Sequence, residues 1–209
     1  MGQILFRAAR AAREHNPAQE FQEVAMVSLG ALWVPILLSG VVLFVASSLV
    51  WMVLPHHKGD WAPLPGEAAV LAAMRAAGLQ RGMYRFPYFD PRDKSPEAQK
   101  KVAEGPTGTM IVRANGPFGM GKELGIWVLY LLFVSTCVAY LSGHVLAAGT
   151  AAGAVFRTVG GTAILAYAAA ILPSAIWWGR PWSITLKDVF DGVVYGLLTG
   201  AIFAWLWPH

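Results

Sequence analysis

The chain has 209 residues, 56% of them hydrophobic and 13% charged, with a mean hydropathy of +0.50, whereas soluble domains carry about 25% charged residues; an ordinary water-soluble domain is excluded. The formal charge of +4 comes without a dense Lys/Arg run, and the basic residues of the longest loop are mixed with acids, which argues against nucleic acid as a partner. A single cysteine, Cys137, rules out a disulfide or a cysteine-based metal site within one chain.

Four stretches hold no Asp, Glu, Lys or Arg: Val24–His57, Gly125–Phe156, Thr158–Gly179 and Gly192–His209. Each is long enough for a hydrocarbon core of ~30 Å, which needs roughly 20 helical residues. The expected fold class is an all-α membrane bundle of four transmembrane helices with a small α/β insertion between helices 1 and 2.

Residues 1–28 read as an amphipathic extension. Ile4, Leu5, Ala8, Ala11 and Ala12 lie near one side of a helix over 3–14 and Arg7, Arg10 and Glu14 near the other, suited to a membrane surface; a solvated tail is the simpler alternative. Asn16 before Pro17, with Gln19 three residues on from the asparagine, reads as the start of a second helix. The Arg7, Arg10, Arg13 group precedes an apolar run too long for a cleaved signal, so that run is read as a retained span.

The first span covers 29–54, bounded by Trp33 and Trp51 and stopped at Pro55, with Pro35 as a kink candidate. Residues 55–123 are too long and polar for a plain connection. Glu67–Ala77 and Pro96–Ala103 read as helices, Gly82–Pro87 and Thr107–Ala114 as strands, giving α-β-α-β with the strands adjacent. The second span, 124–146, contains His144; the third, 159–178, is alanine-rich with Pro173 late in it. The fourth, 189–207, carries Gly192, Gly196 and Gly200 at four-residue spacing, a face for close packing on the third span or on a helix of another chain.

Four spans put both termini on one side. The basic residues near span ends, Arg7, Arg10, Arg13 and Arg157 against Lys58, Arg113, Lys122, Arg180 and Lys187, nearly balance; the triplet flanking the first span favours cytoplasmic termini and an extracytoplasmic 55–123 segment.

Gly116 to Lys122 matches G-x-x-x-x-G-K, but Glu123 stands where a phosphate loop needs Ser or Thr for Mg²⁺, so the segment reads as a glycine hinge. His144 lacks a second axial histidine at its depth, and no haem or other cofactor is expected. A better cluster follows from topology, because four span ends share one interface. They gather His56, His57, Lys58 and Asp60 with Lys122, Glu123, Arg180, Lys187, Asp188 and Asp191. Asp188 and Asp191 share a helix face, and Asp191 reaches the hydrocarbon edge, where Arg180 or Lys187 is its expected partner. Two readings compete: ion pairing that seats the 55–123 segment on the bundle, and a site for a metal or an anionic headgroup with His57, Asp60, Asp188 and Asp191 as weak ligand candidates. Adjacent histidines cannot both face one ion from a regular helix, which weakens the second.

Trp33-Val-Pro-Ile-Leu-Leu-Ser-Gly40, Phe44-Val-Ala-Ser-Ser48, Met52-Val-Leu-Pro-His-His-Lys58 and Trp205-Leu-Trp-Pro208 together resemble an uncharacterised family of small bacterial four-span integral membrane proteins. The resemblance covers nearly everything after residue 29 and implies a bacterial inner-membrane location, with no catalytic residue to carry over. The expected role is an accessory or scaffold subunit, in contact with lipid and with other membrane subunits or its own copies. The alternatives are a small transporter or channel component using Ser39, Ser47, Ser48, Ser135, Thr136, Ser142, Thr162 and Thr199, and a membrane enzyme or metal-binding protein using the interface cluster.

Overall fold

The structure is a computed structural model and describes residues 26–88, 90, 92–117 and 119–209. The amphipathic stretch over 3–14 and the helix expected from Asn16 lie outside the described residues.

A 3-10 turn, Leu29–Leu32, leads into α1 (Trp33–Ser48), which ends in a π-helical turn, Leu49–Val53, and a second 3-10 turn, Pro55–His57. Then come α2 (Glu67–Ala76), β1 (Gly82–Phe86), α3 (Pro96–Glu104), β2 (Gly108–Val112), α4 (Gly121–Val145), α5 (Ala152–Ala168), α6 (Leu172–Trp178) and α7 (Trp182–Trp205). Four helical segments are long and apolar enough to cross a membrane: Leu29–Val53, Gly121–Val145, Ala152–Trp178 and Trp182–Trp205, of 24 to 27 residues. At 1.5 Å per residue they extend roughly 36–41 Å, more than the ~30 Å hydrocarbon core.

The third and fourth segments begin at Ala152 and Trp182, ahead of the apolar windows expected from Val159 and Val189. Arg157, Lys187 and Asp188 lie inside these helices. A charge within a turn or two of a helix end still reaches water or a partner, so charge-free windows understate helix length. Proline marks the irregularities. Pro35 falls in the first turn of α1, directly after the 3-10 turn. Pro173 offers no N–H to the carbonyl of Ala169, and the chain passes from α5 through a 3-10 turn, Ala169–Ile171, into α6 at that place. Pro55, after Leu54 in an extended conformation, ends the π turn.

The described residues form two compact units. The first comprises those up to Phe44, Val128–Ile164 and Tyr195–His209. Its core is apolar and fully buried at Leu32, Leu43, Leu131, Val138, Val155, Val159 and Phe203. The last helix approaches α5 backbone to backbone: a Cβ on Gly200 would sit 2.9 Å from Gly160 Cα, and one on Gly196 2.7 Å from Ile164 N. The end of α4 and the loop after it hold Val27 and the last residues of the chain, with Val27 N bonded to Gly143 O at 2.9 Å, Gly149 N to Pro208 O at 2.8 Å, and the Trp207 indole donating to Ala147 O at 2.9 Å.

The second unit comprises Val45–Trp127 and Leu165–Val194. Residues 55–123 belong to it together with the adjoining helix ends. Strands β1 and β2 pair antiparallel, with Met83 opposite Ile111 and Tyr84 opposite Met110. Ser95 caps α3 by accepting from Ala98 N at 3.2 Å, with Pro96 at the first helical position. Buried positions here include Ser47, His57, Thr185 and Asp191 beside Tyr167, Ala168 and Ala175. So much burial of polar groups demands partners, and the partners define the site.

Candidate functional site

The chain enters the site through the irregular end of the first span. Leu54 N bonds to Leu49 O at 2.9 Å, closing the π-helical turn. Pro55 cannot continue a helix, and the next three residues fold as a 3-10 turn. From this turn both imidazoles reach the same carboxylate on α7, that of Asp191.

His57 is the hub. Its Nδ1 lies 2.5 Å from Asp60 Oδ2 and its Nε2 2.8 Å from Asp191 Oδ2. Lys187 Nζ donates to the other oxygen of Asp60 at 2.6 Å. The side chains of His57, Asp60 and Asp191 are only 4%, 3% and 5% exposed. Trp51, from the π turn, stacks on the His57 ring with centroids 3.8 Å apart and planes 5° from parallel. His56 Nε2 stands 3.4 Å from Asp191 Oδ1, and its ring meets those of His57 and Phe190 edge-on. One helical turn earlier on α7, Asp188 pairs with Arg180.

Burial, the strongest single influence on His57, lowers its pKa, but the hydrogen bonds and charges of Asp60 and Asp191 together outweigh it and hold the imidazole above its ordinary 6.5. The Lys187 hydrogen bond, followed by that of His57, holds the Asp60 carboxyl below its ordinary range against an opposing burial effect. Two acids thus alternate with two bases in a chain of short hydrogen bonds, Lys187 to Asp60 to His57 to Asp191, which holds the 55–60 turn against α7. Desolvation offsets most of the attraction within such buried pairs, so their net contribution to stability is small.

The geometry sorts the residues that the sequence placed at this interface. His57, Asp60, Lys187 and Asp191 converge. Arg180 and Asp188 form a separate pair, so Asp191 is served by the two histidines rather than by Arg180 or Lys187. Lys58 is exposed. Glu123 accepts from Arg113 at 2.9 Å, both side chains exposed, which ties β2 to the start of α4. His56 is legible only as a neighbour of His57, and the π turn and 3-10 turn that end the first span leave no sequence signal beyond Pro55.

Other polar candidates act locally. His144 is exposed and its Nδ1 donates to Tyr140 O on its own helix at 2.6 Å. Thr136, Thr162 and Thr199 donate to carbonyls four residues back, each at 2.8 Å. Gly192 lies against α5, where a Cβ would meet Tyr167 O at 2.8 Å. An open cleft of about 680 Å³ lies between Phe86, Pro87 and Thr109 on one side and Trp177 and Trp178 on the other, spanned where Thr109 Oγ1 donates to Trp178 O at 3.3 Å.

No protein-family model, curated protein or solved structure matches this chain. The four apolar helices make it a multi-pass membrane protein by length and composition.

Proposed function

We propose that this chain is an accessory or scaffold subunit of a complex in the bacterial inner membrane, with cytoplasmic termini, and that the 55–123 segment is a small α/β insertion offered to a partner protein outside the cytoplasm. One observation carries the reading: among the described residues from 61 to 120 none is buried, although the segment folds into two helices and a sheet. A two-stranded sheet without a covered face is marginal alone, and this one is tied to the helices by Thr109 on Trp178 and by Arg113, just after β2, on Glu123.

The exposed positions are not merely polar. Trp61 and Tyr88 are 86% and 89% exposed, and the cross-strand pair Met83 and Ile111 also points outward. All four lie outside the four apolar spans. Large apolar side chains in water mark an interaction surface. The glycine face of α7, by contrast, is occupied by α5 within the same chain, so association through the loop segment is the better-supported route.

The test is purification of the tagged chain from native membranes in mild detergent. A second polypeptide in fixed ratio is expected, lost on the paired substitution Met83→Glu with Ile111→Glu. A lone chain eluting from gently solubilised membranes, or a partner retained by the double variant, would contradict the proposal.

A further inference from the structure

Two imidazoles and one carboxylate meet where the Pro55–His57 turn touches α7. His57 Nε2 is 2.8 Å from Asp191 Oδ2, His56 Nε2 is 3.4 Å from Asp191 Oδ1, and the donor atoms of the three residues all lie within 4.8 Å of one another. Around a tetrahedral ion with bonds of about 2.0–2.2 Å, two ligand atoms stand roughly 3.3–3.5 Å apart. His56 has that spacing from one oxygen of Asp191 and His57 lies closer to the other, so the carboxylate would turn to offer a single oxygen and His57 would retreat by about half an ångström.

Two further features go beyond proximity. His56 Nε2 is buried yet makes no hydrogen bond among the described residues, its approach to Asp191 being an ion-pair distance only. Buried ring nitrogens are almost always satisfied, and a bound ion would satisfy this one. His57 Nδ1 is engaged by Asp60 at 2.5 Å, and Asp60 is held in turn by Lys187 at 2.6 Å. A carboxylate on the far nitrogen puts the proton at Nδ1, turns the Nε2 lone pair inward and raises its basicity, as in the outer shell of metal-bound histidines. Trp51, stacked flat on the ring, holds its plane. An imidazolium bridging two carboxylates would account for His57 alone; it gives His56 no role.

The geometry points to a divalent transition-metal site formed by His56, His57 and Asp191, with Asp60 as the positioning residue for His57. Two imidazoles and a carboxylate, with no thiolate, suit zinc and its first-row neighbours better than copper(I), calcium or magnesium. Three protein ligands leave a fourth position for water or an anion. The site differs from the ligand set expected from the sequence: Asp60 moves to the outer shell, Asp188 is withdrawn by Arg180, and His56 enters.

The full-length protein, purified in detergent without a polyhistidine tag and stripped with chelator, should bind one Zn²⁺ per chain, and Co²⁺ should give the visible bands of a tetrahedral nitrogen-oxygen site. His56 is half-buried, so His56→Ala keeps the fold, checked by circular dichroism, and should weaken Zn²⁺ binding at least tenfold. Asp60→Asn should weaken it about 10–100-fold, the usual effect of losing an outer-shell carboxylate, while Lys58→Ala leaves it unchanged. Absence of Zn²⁺ binding in the wild type, or wild-type affinity in His56→Ala, would overturn the assignment.

Discussion

Gly192→Ala on α7 adds a single methyl at a close backbone contact with α5. The new Cβ would stand 2.8 Å from Tyr167 O and 2.9 Å from both Ala168 Cα and Ala168 N. Ordinary van der Waals contact begins near 3.4 Å, and all three atoms are backbone, so no rotamer change relieves the clash; one helix must shift by about half an ångström. Overpacking of this sort destabilises by about 1–3 kcal/mol. Opposing it, alanine is favoured over glycine in a helix interior by about 0.8–1.0 kcal/mol. Gly161→Ala on α5 separates the two effects, because nothing lies within 4 Å of its added Cβ. The propensity gain is common to both variants, so their difference isolates the packing cost of ~1–3 kcal/mol. Unfolding in detergent by SDS titration, followed by circular dichroism, should place Gly161→Ala above wild type and Gly192→Ala below Gly161→Ala by that amount. Equal stability of the two variants would refute close backbone packing at Gly192.

In metal-free protein, because the pKa of His57 is raised in the fold, the stabilisation from its pairing with Asp60 and Asp191 is complete below about 6.5 and fades as pH climbs through the raised value. For Asp60, lowered in the fold, the contribution is complete above about 3.8 and is lost as pH falls through the lowered value; in chelator-treated protein Lys187→Met should therefore move the acid limb of the Tm-against-pH curve to higher pH, and an unmoved limb would refute the pairing. Trp207→Phe removes the indole donor to Ala147 O and should cost about 1 kcal/mol, whereas Trp205→Phe, at an exposed ring, should leave stability unchanged in the same assay.

Much of the architecture was readable because lipid imposes a strict rule: a span must be helical and nearly free of charge. Leu29–Val53 and Gly121–Val145 follow it closely, the first stopped by Pro55 and the second begun at a glycine. The starts of the third and fourth helices escaped the rule because Arg157, Lys187 and Asp188 lie where charge is tolerated. Short elements between 67 and 112 showed through local chemistry, Ser95-Pro96 at one helix start and β-branched or aromatic residues in the strands. The site was legible as an inventory, not as a geometry. His57 and Asp191 are 134 positions apart, and which acid meets which base depends on helix rotation that composition does not encode. The pair His56-His57 reads as weak on the premise of a regular helix; the chain there is a π turn followed by a 3-10 turn, and both rings reach Asp191.

Crossing of the membrane by each apolar helix is the central claim, and cysteine labelling tests it directly. In a Cys137→Ser background, Lys100→Cys on α3 and Ala148→Cys in the loop after α4 are both at exposed positions, and the single crossing by α4 separates them. An impermeant maleimide should modify each from one face of sealed, oriented membranes only, and from opposite faces. Labelling of both from the same face would contradict the four-span reading.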